Sequence, residues 1–269
     1  MRKLMILTLF FATALTNTTI AEDLNTLSAE EIMKRVDDRY TGDTSLSEAQ
    51  LILIDKRDRK RIRNLKLFGI EKDDVEKSMI FFMSPSDVKG TGYMSFDWEN
   101  ESREDDSWLY LPALQKIQRV AGSEESGFFM GSDFSYADIN GIDYEDFNYE
   151  LINSSEIVDG HDCWVIKSIP KNEDVIKKTG YLESTSWVRK DIFFSVKSII
   201  NVKKGKRVKY FAAKDIQNIQ GIWTAMTLQM VSTHKGKKEH SSVLKITDRV
   251  YNTDVDESMF DTQVMQRGI

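Results

Sequence analysis

Lys89-Gly-Thr-Gly-Tyr-Met-Ser-Phe-Asp-Trp98 opens the stretch of sequence that decides the fold, and this stretch runs on to Ile139. It contains two runs of alternating apolar and polar residues, one on each side of an acidic segment. The aromatic segment Gly127-Phe-Phe-Met-Gly-Ser-Asp-Phe-Ser-Tyr136 follows them. Alternation with a period of two is typical of β-strands. Large apolar side chains beside glycine-containing loops indicate a place that holds apolar material, and they offer no obvious group for catalysis.

Two of the predicted strands carry large side chains at every second position. Met94, Phe96 and Trp98 do so in the first run, and Trp108 and Tyr110 do so in the second. Side chains two residues apart point to the same side of a strand, and neighbouring strands bring such sets together. A stripe of methionine and aromatic residues is more often packed core than the wall of a ligand cavity. The residues by themselves leave both interpretations open.

The period of two continues through most of the chain. Between Glu48 and Tyr251, about ten or eleven strand-like runs follow one another, mostly separated by short turns. The turn Asp159-Gly160 is a strong hairpin signal. Strands joined by hairpins form an antiparallel meander, and so long a sheet must curl or close. The sequence therefore predicts a mainly β fold with one domain, at residues 22–269.

One amphipathic helix is predicted at the start of the domain, over residues 28–40. Ser28 as the N-cap and Glu31 three residues later form a capping box. Two short helical segments are predicted near 132–139 and 256–260. Because an amphipathic helix needs an apolar surface to lie on, we expect these segments to cover one open side of the sheet.

Residues 1–21 have the pattern of a cleavable export signal. Arg2 and Lys3 precede the apolar run Leu4–Leu15, which is too short to span a bilayer comfortably, and small and polar residues follow up to Ala21. We therefore expect cleavage after Ala21 and a protein that is located in the periplasm.

Composition and motifs argue against several classes of function. The net charge of −6 argues against a general nucleic-acid-binding protein. Cys163 is the only cysteine, so no intramolecular disulfide can form, and its apolar context predicts a buried thiol. His161, His234 and His240 lack the spacing of metal ligands, and no nucleophile elbow, phosphate loop or dinucleotide fingerprint occurs. We expect no enzyme, and we expect no metal site and no cofactor.

Two charged runs have alternative interpretations. Asp97–Asp106 lacks the turn glycine and the distant glutamate of a calcium-binding loop, so a solvated hairpin loop is favoured over a metal site. Lys56–Arg63 could contact anionic lipid head groups. A charged strand edge that prevents aggregation is the favoured interpretation.

Three motifs occur in order: Lys89-Gly-Thr-Gly-Tyr93, Trp108-Leu-Tyr-Leu-Pro-Ala-Leu-Gln-Lys-Ile-Gln-Arg119 and Phe129-Met-Gly-Ser-Asp-Phe-Ser-Tyr136. Together they resemble the bacterial outer-membrane lipoprotein-sorting protein family of the LolA-like superfamily. The resemblance covers most of the mature chain and is sharpest from Phe81 to Ile139. It implies an unclosed, strongly curved antiparallel β half-barrel, with helices as a lid over a hydrophobic cavity.

The resemblance also implies a periplasmic carrier. Such a protein binds lipid or the acyl chains of lipoproteins for transfer between the inner and outer membranes, beside an inner-membrane transporter of the RND/MMPL type. We expect a monomer in which Gly127 and Gly131 let the aromatic segment move. The alternative is a non-carrying periplasmic adaptor or sensor, similar to RseB, that docks to a membrane transporter. The expected cavity wall consists of Met94, Phe96, Trp98, Trp108, Tyr110, Phe128, Phe129, Met130 and Phe134.

Overall fold

The computed structural model of the protein describes residues 24–99, 103–203 and 206–269. Within them the chain forms one antiparallel sheet of 13 strands. The strands are β1 Thr44–Ile54, β2 Lys60–Lys72, β3 Val75–Ser84, β4 Gly92–Trp98, β5 Asp106–Leu111, β6 Lys116–Arg119, β7 Phe147–Val158, β8 His161–Pro170, β9 Tyr181–Arg189, β10 Phe194–Val202, β11 Arg207–Ile219, β12 Ile222–His234 and β13 Lys237–Tyr251.

The sheet is unclosed, and its two edge strands follow one another in the sequence. The strand order is β6-β5-β4-β3-β2-β1-β13-β12-β11-β10-β9-β8-β7. The first and last strands therefore pair in the middle of the sheet, whereas β6 and β7 lie at its edges. The connection of residues 120–146 has to cross from one edge to the other. This arrangement confirms the expected mainly β, antiparallel half-barrel.

Local turn chemistry sets much of the register. Asp159 and Gly160 have φ values of 49° and 84° between the paired residues Val158 and His161. Positive φ at both central residues is what a type I′ hairpin requires. The sequence predicted about ten or eleven strands, and the 13 strands of the structure include β6, which has only four residues and no resolvable alternation.

Four α-helices accompany the sheet in the described residues. The capping box of the first helix is confirmed, because Glu31 N donates to Ser28 Oγ at 3.2 Å and Ser28 N donates to Glu31 Oε2 at 2.7 Å. The helix ends at Asp37, before its expected end at residue 40. The helices are α1 Ala29–Asp37, α2 Tyr136–Asn140, α3 Glu173–Thr179 and α4 Thr262–Arg267, of which α3 and α4 were not predicted.

The two faces of the sheet pack against different partners. Strands far apart in the sheet share one cluster, which identifies that face as the concave one. We call this set the inner cluster; it includes Leu51, Leu65, Ile80, Phe82, Tyr93, Leu109, Phe129, Phe134, Ile200 and Met230. The outer cluster, on the convex face of β2–β5, includes Ile70, Met79, Phe81, Met94, Tyr110, Phe260 and Met265.

The C-terminal segment lies on the convex face. The short helix expected near 256–260 forms as a single turn at Glu257–Met259. We expected it to cover the open side of the sheet, and that expectation is wrong. Phe260 and Met265 pack into the outer cluster, because the apolar convex face of β3–β5 needs its own cover.

Helix α1 packs against β8 and β9, near the edge of the sheet that β7 forms. Ile32 is fully buried against Trp164, Ile166 and Val188 of β8 and β9. Cys163 points away from this contact, and burial raises the pKa of its thiol to about 11. The prediction that the Cys163 thiol is buried is thus confirmed.

No helix in residues 24–99, 103–203 and 206–269 is long and apolar enough to cross a membrane. The predicted export signal at residues 1–21 lies outside the described residues.

Candidate functional site

The concave face of the sheet encloses a cavity of about 650 Å³. This volume falls in the range of pockets that bind small-molecule ligands. Met33 and Val36 of α1 close one part of the cavity, and Phe129, Phe134 and Ile139 of the connection between the sheet edges close another. The apolar strand residues in the wall include Leu51, Leu65, Leu67, Ile80, Ile200, Phe211, Leu228, Met230 and Leu244.

The cavity wall changes from apolar to hydroxyl-rich along the strands. On β1, Ser45 and Ser47 precede Leu51, and all three line the cavity. On β2, Gly69 lets the Ser45 hydroxyl approach the strand closely, since an added Cβ would lie only 2.8 Å from Ser45 Oγ. Along β1 and its partner β13, the wall therefore changes from Ser45, Ser47 and Arg249 at one end to Leu51 and Leu244 at the other. The serines in the wall are Ser45, Ser47, Ser78, Ser168, Ser184, Ser186, Ser195 and Ser198.

The aromatic segment of residues 127–136 forms the cover at the apolar end. Phe129 is 1% exposed and its ring contacts those of Phe82, Tyr93 and Tyr136, at centroid distances of 6.1, 5.3 and 5.4 Å. Aromatic pairs at such distances add to the free energy of burial. The segment is thus packed into the concave side rather than exposed as a free loop.

Polar contacts hold this segment to the sheet. Arg63 Nη1 donates to the carbonyl oxygen of Met130. Asp133 N donates to Ser242 Oγ at 2.9 Å, and Ser242 Oγ donates to Asp133 Oδ2 at 2.7 Å. Met130 and Gly131 both have positive φ, at 49° and 73°, so the chain reverses sharply here. A small number of hydrogen bonds therefore fixes the cover at its tip.

A buried ionic group holds helix α2 to the sheet. Lys209 Nζ lies 3.2 Å from Asp138 Oδ2 and 3.2 Å from Tyr181 Oη, and Tyr181 also donates to Asp138. Burial and the Asp138 charge raise the pKa of Tyr181 well above its usual value. No sequence motif points to this group, because its members are far apart in the chain.

Four of the nine residues expected in the cavity wall belong to the aromatic segment, and they differ in their position relative to the cavity. Phe129 and Phe134 line the cavity. Met130 is partly buried and packs against the inner cluster. Phe128 is 55% exposed and points away from the cavity.

The other five expected wall residues face away from the cavity, and their placement is a correction. Met94 and Tyr110 belong to the outer cluster, and Phe96 and Trp108 pack against it. Trp98 contacts Phe96 at a centroid distance of 6.1 Å. Alternation shows which side chains share a face but does not show which face is concave.

On β4 and β5, the residues that alternate with these five face the concave side. Tyr93 and Leu109 are cross-strand partners in the inner cluster. Both faces of β4 and β5 carry large apolar side chains. The set with the larger side chains, which was expected in the cavity wall, packs under the C-terminal segment instead.

The acidic segment takes part in a charge cluster beside the cavity. Lys178 Nζ lies 3.1 Å from Asp105 Oδ2 and 3.1 Å from Asp143 Oδ2. Burial, with repulsion from Asp105 and Asp143, raises the pKa of Asp97 to about 7. The expectation of a simply solvated loop is wrong for Asp97 and Asp105, while residues 100–102 lie outside the described residues. In the described parts of the chain, no group of three or more His, Cys, Asp or Glu side chains is placed to hold a metal ion.

Comparison with known proteins identifies related chains. The sequence model of a family described only as "Uncharacterized protein" matches residues 74–267, which is more than half of the chain. No curated protein matches the sequence.

Two solved structures combine a similar fold with a similar sequence. A domain from Vibrio parahaemolyticus, described as that of an outer membrane lipoprotein-sorting protein, is 27% identical with a TM-score of 0.78, over 89% of this chain and 98% of that one. A DUF1329 family protein from Desulfovibrio piger is 28% identical with a TM-score of 0.79, over 88% of this chain and 97% of that one.

A third structure supports the fold alone. The LolA superfamily protein NE2245 from Nitrosomonas europaea is 17% identical with a TM-score of 0.65, over 88% of this chain and 99% of that one.

Proposed function

We propose that this chain, which belongs to the family whose model spans residues 74–267, is a periplasmic carrier of lipid or acylated cargo. It binds acyl chains in the cavity of the half-barrel and transfers them between the inner and outer membranes. Its similarity to an outer membrane lipoprotein-sorting protein domain and to the fold of a LolA superfamily protein supports this proposal.

The observation that carries this proposal is the cavity of about 650 Å³ with its apolar wall. Each acyl methylene that leaves water contributes about 0.8 kcal/mol to the free energy of binding. One acyl chain therefore binds stably enough to be carried and still reversibly enough to be released. A closed, fully packed core would offer no such space.

Release requires the cavity to open, and the aromatic segment of residues 127–136 is the part we expect to move. It belongs to the connection between the two free edges of the sheet. Its tip is held by the hydrogen bonds from Arg63 and Ser242 rather than by strand pairing. Its glycines Gly127 and Gly131 permit a backbone rearrangement that other residues would resist.

We also propose the location and partner that the family resemblance implies. The mature protein acts in the periplasm and receives or delivers its cargo at an inner-membrane transporter of the RND/MMPL type. A carrier and a non-carrying adaptor differ in one measurable property, which is saturable binding of an acyl ligand.

The first experiment is mass spectrometry of lipids that co-purify with the protein from the periplasm, followed by titration of the lipid-free protein with a fluorescent acyl probe. We expect a bound lipid species and saturable probe binding. Folded, lipid-free protein that binds no acyl probe would end the carrier proposal and favour the adaptor.

A matched pair of variants then tests the cavity itself. Phe211 lines the cavity, and its neighbour Tyr210 on the same strand faces outward with 41% exposure. Phe211→Glu places a carboxylate among the apolar wall residues, where burial without a partner is unfavourable, so probe binding should fall at least about tenfold. Tyr210→Glu makes the same chemical change outside the cavity and should bind the probe as the wild type does.

A further inference from the structure

We infer that the cavity selects an amphiphile with an anionic head group, which Arg249 binds while an acyl chain lies against the apolar wall residues. The inference rests on the proposed carrier function and adds to it the chemical class of the cargo. It is carried by the position of Arg249, by its buried Nε, which has no hydrogen-bond partner among the described residues, and by the change from polar to apolar wall residues along β1 and β13.

Arg249 reaches the cavity because of an irregularity in β13. Ile246 belongs to the regular pairing with β1, and an uninterrupted register would place Asp248 opposite Ser47. The register shifts by one residue at Thr247, and Arg249 takes that place instead. A β-bulge re-aims side chains in this way and is common beside functional sites. A guanidinium therefore lines the wall where a regular strand would put a carboxylate.

The guanidinium has hydrogen-bonding capacity to spare. Its Nε atom is buried and has no hydrogen-bond partner among the described residues. The group stacks on the ring of Tyr251, with Cζ 4.6 Å from the ring centroid, which fixes its orientation. Glu76 also lines the cavity and interacts with the Arg249 charge, yet these two side chains form no ion pair.

Such a group is best satisfied by an anionic oxygen. A buried donor without an acceptor costs free energy, which a ligand acceptor would recover. Arginine binds carboxylate and phosphate groups through two parallel hydrogen bonds, with both charge and geometry in its favour. The ligand chemistry that completes this wall is therefore a carboxylate or a phosphate.

The surroundings of Arg249 match a polar head group. Ser47 lies directly opposite Arg249 on the neighbouring strand, and both line the cavity. Ser45 and Ser78 also line it, as the partners of Gly69 on the two strands beside β2. Hydroxyl donors around a guanidinium suit an oxygen-rich head group, while the leucines farther along the strands suit the chain.

The volume is sufficient for an acyl chain. The cavity of about 650 Å³ lies within the range of about 300–1,000 Å³ found for pockets that bind small-molecule ligands. One acyl chain with a small head group is a ligand of that size.

The test compares two forms of one probe on the lipid-free protein. The probe is a long-chain fatty acid with a fluorophore at its methyl end, and its partner is the methyl ester of the same molecule. We expect the acid to bind the wild type about tenfold or more tightly than the ester, the usual effect of a hydrogen bond to a charged group. Displacement by oleic acid or by lysophosphatidic acid then separates the carboxylate from the phosphate.

Variants assign the preference to Arg249. Arg249→Gln should weaken binding of the acid to the level of the ester and leave the ester unchanged, and Arg249→Lys should retain part of the preference. Arg61→Gln removes an exposed arginine from β2 and should change neither affinity.

The outcomes separate this inference from the carrier function. Equal binding of acid and ester by the wild type would overturn the anionic-head inference while the carrier function stands. Binding of neither probe would end both. If Arg249→Gln fails to fold, the comparison of acid and ester on the wild type and on Arg249→Lys still decides.

Discussion

At the scale of single residues, the environment of Glu125 disfavours its charged form. Its side chain is 2% exposed, and Oε2 has no hydrogen-bond partner among the described residues. Asn140 Nδ2 donates to Oε1 at 3.4 Å. Burial raises its pKa to about 7, with Lys178 opposing the shift and Asp105 adding to it. Glu125 is therefore protonated in the folded protein at a pH where the unfolded chain has lost the proton.

Stability should consequently fall as the pH rises from about 4.5 to about 7, because the folded state binds more protons than the unfolded state in this window. Glu125→Gln removes the ionisation and keeps the acceptor for Asn140. We expect the variant to gain roughly 2–3 kcal/mol over the wild type at pH 8, and less than about 1 kcal/mol at pH 5. Urea unfolding at the two pH values measures this difference.

Glu124→Gln is the matched control, since its side chain is exposed and next in sequence. It should leave the free energy of unfolding nearly unchanged at both pH values. A difference between Glu125→Gln and the wild type that is the same at pH 5 and pH 8 would contradict the raised pKa.

Single residues also show how far the sequence could predict the structure. Ser28 with Glu31, and Asp159 with Gly160, act through neighbours in the chain, so their capping box and hairpin turn were predictable. Lys209 has partners that only the tertiary fold brings close. No local pattern points to such groups, and the buried ionic group and Arg249 were missed for the same reason.

At the scale of elements, the strands were predictable but their orientation was not. β10 covers Phe194–Val202, one of the runs in which apolar and polar residues alternate. β4 and β5 carry large apolar side chains on both faces. The choice between the faces depends on where the C-terminal segment packs, and the sequence contains no local signal for that packing.

The C-terminal segment offers a direct check of the two faces. Met265 is fully buried against the convex side of β4 and β5, where a Cβ on Gly92 would lie 2.4 Å from Met265 Cγ. Met265→Ala should destabilise the protein by about 2–4 kcal/mol through the lost contacts and the cavity left behind. Affinity for an acyl probe should stay unchanged, because the affected face lies outside the cavity. Thermal unfolding and probe titration test both parts.

The exposed neighbour Gln266 provides the control for this segment. Gln266→Ala should change neither the stability nor the probe affinity. Loss of probe binding in folded Met265→Ala would mean that the convex face takes part in binding, as the five corrected wall residues were first expected to do.

The aromatic segment is the second element with a testable attachment. Ser242 makes two hydrogen bonds to Asp133, and both residues are buried. Ser242→Ala leaves the Asp133 carboxylate without this donor, which should cost about 1–3 kcal/mol. Hydrogen exchange of the amides in residues 128–136 should become faster, while exchange in β10 stays as in the wild type. Ser123→Ala, at an exposed turn, is the control, and unaltered exchange in the segment would contradict its attachment through Ser242.

At the scale of the whole molecule, the order of the strands explains the site. β1 pairs with β13, so the meander returns on itself and leaves its free edges at β6 and β7. The connection between these edges then crosses the concave side and supplies the cover. Sheet length alone predicted that the sheet must curl. The pairing of the first strand with the last is a long-range contact, and the alternation of either strand does not encode it.

Export is the prediction that concerns the whole chain, and it decides where the cavity works. Arg2, Lys3 and the apolar run up to Leu15 form the pattern of a signal peptide. We expect a periplasmic protein that begins at Glu22, with its net charge changed from −6 to −8 because two basic residues are lost. Intact-mass measurement of protein from osmotic-shock fluid checks the cleavage site.

A variant in the apolar run tests whether this segment directs export. Leu9→Arg interrupts the run with a charge, which is unfavourable in an apolar signal region, and should leave uncleaved protein in the cytoplasm. Asn17→Arg lies beyond the apolar run and should still be exported and cleaved. A carrier between two membranes has to reach the space between them. Mature protein that retains Leu4–Leu15, or that is found only in the membrane fraction, would therefore contradict the cleavage and remove the setting in which the cavity could transfer its cargo.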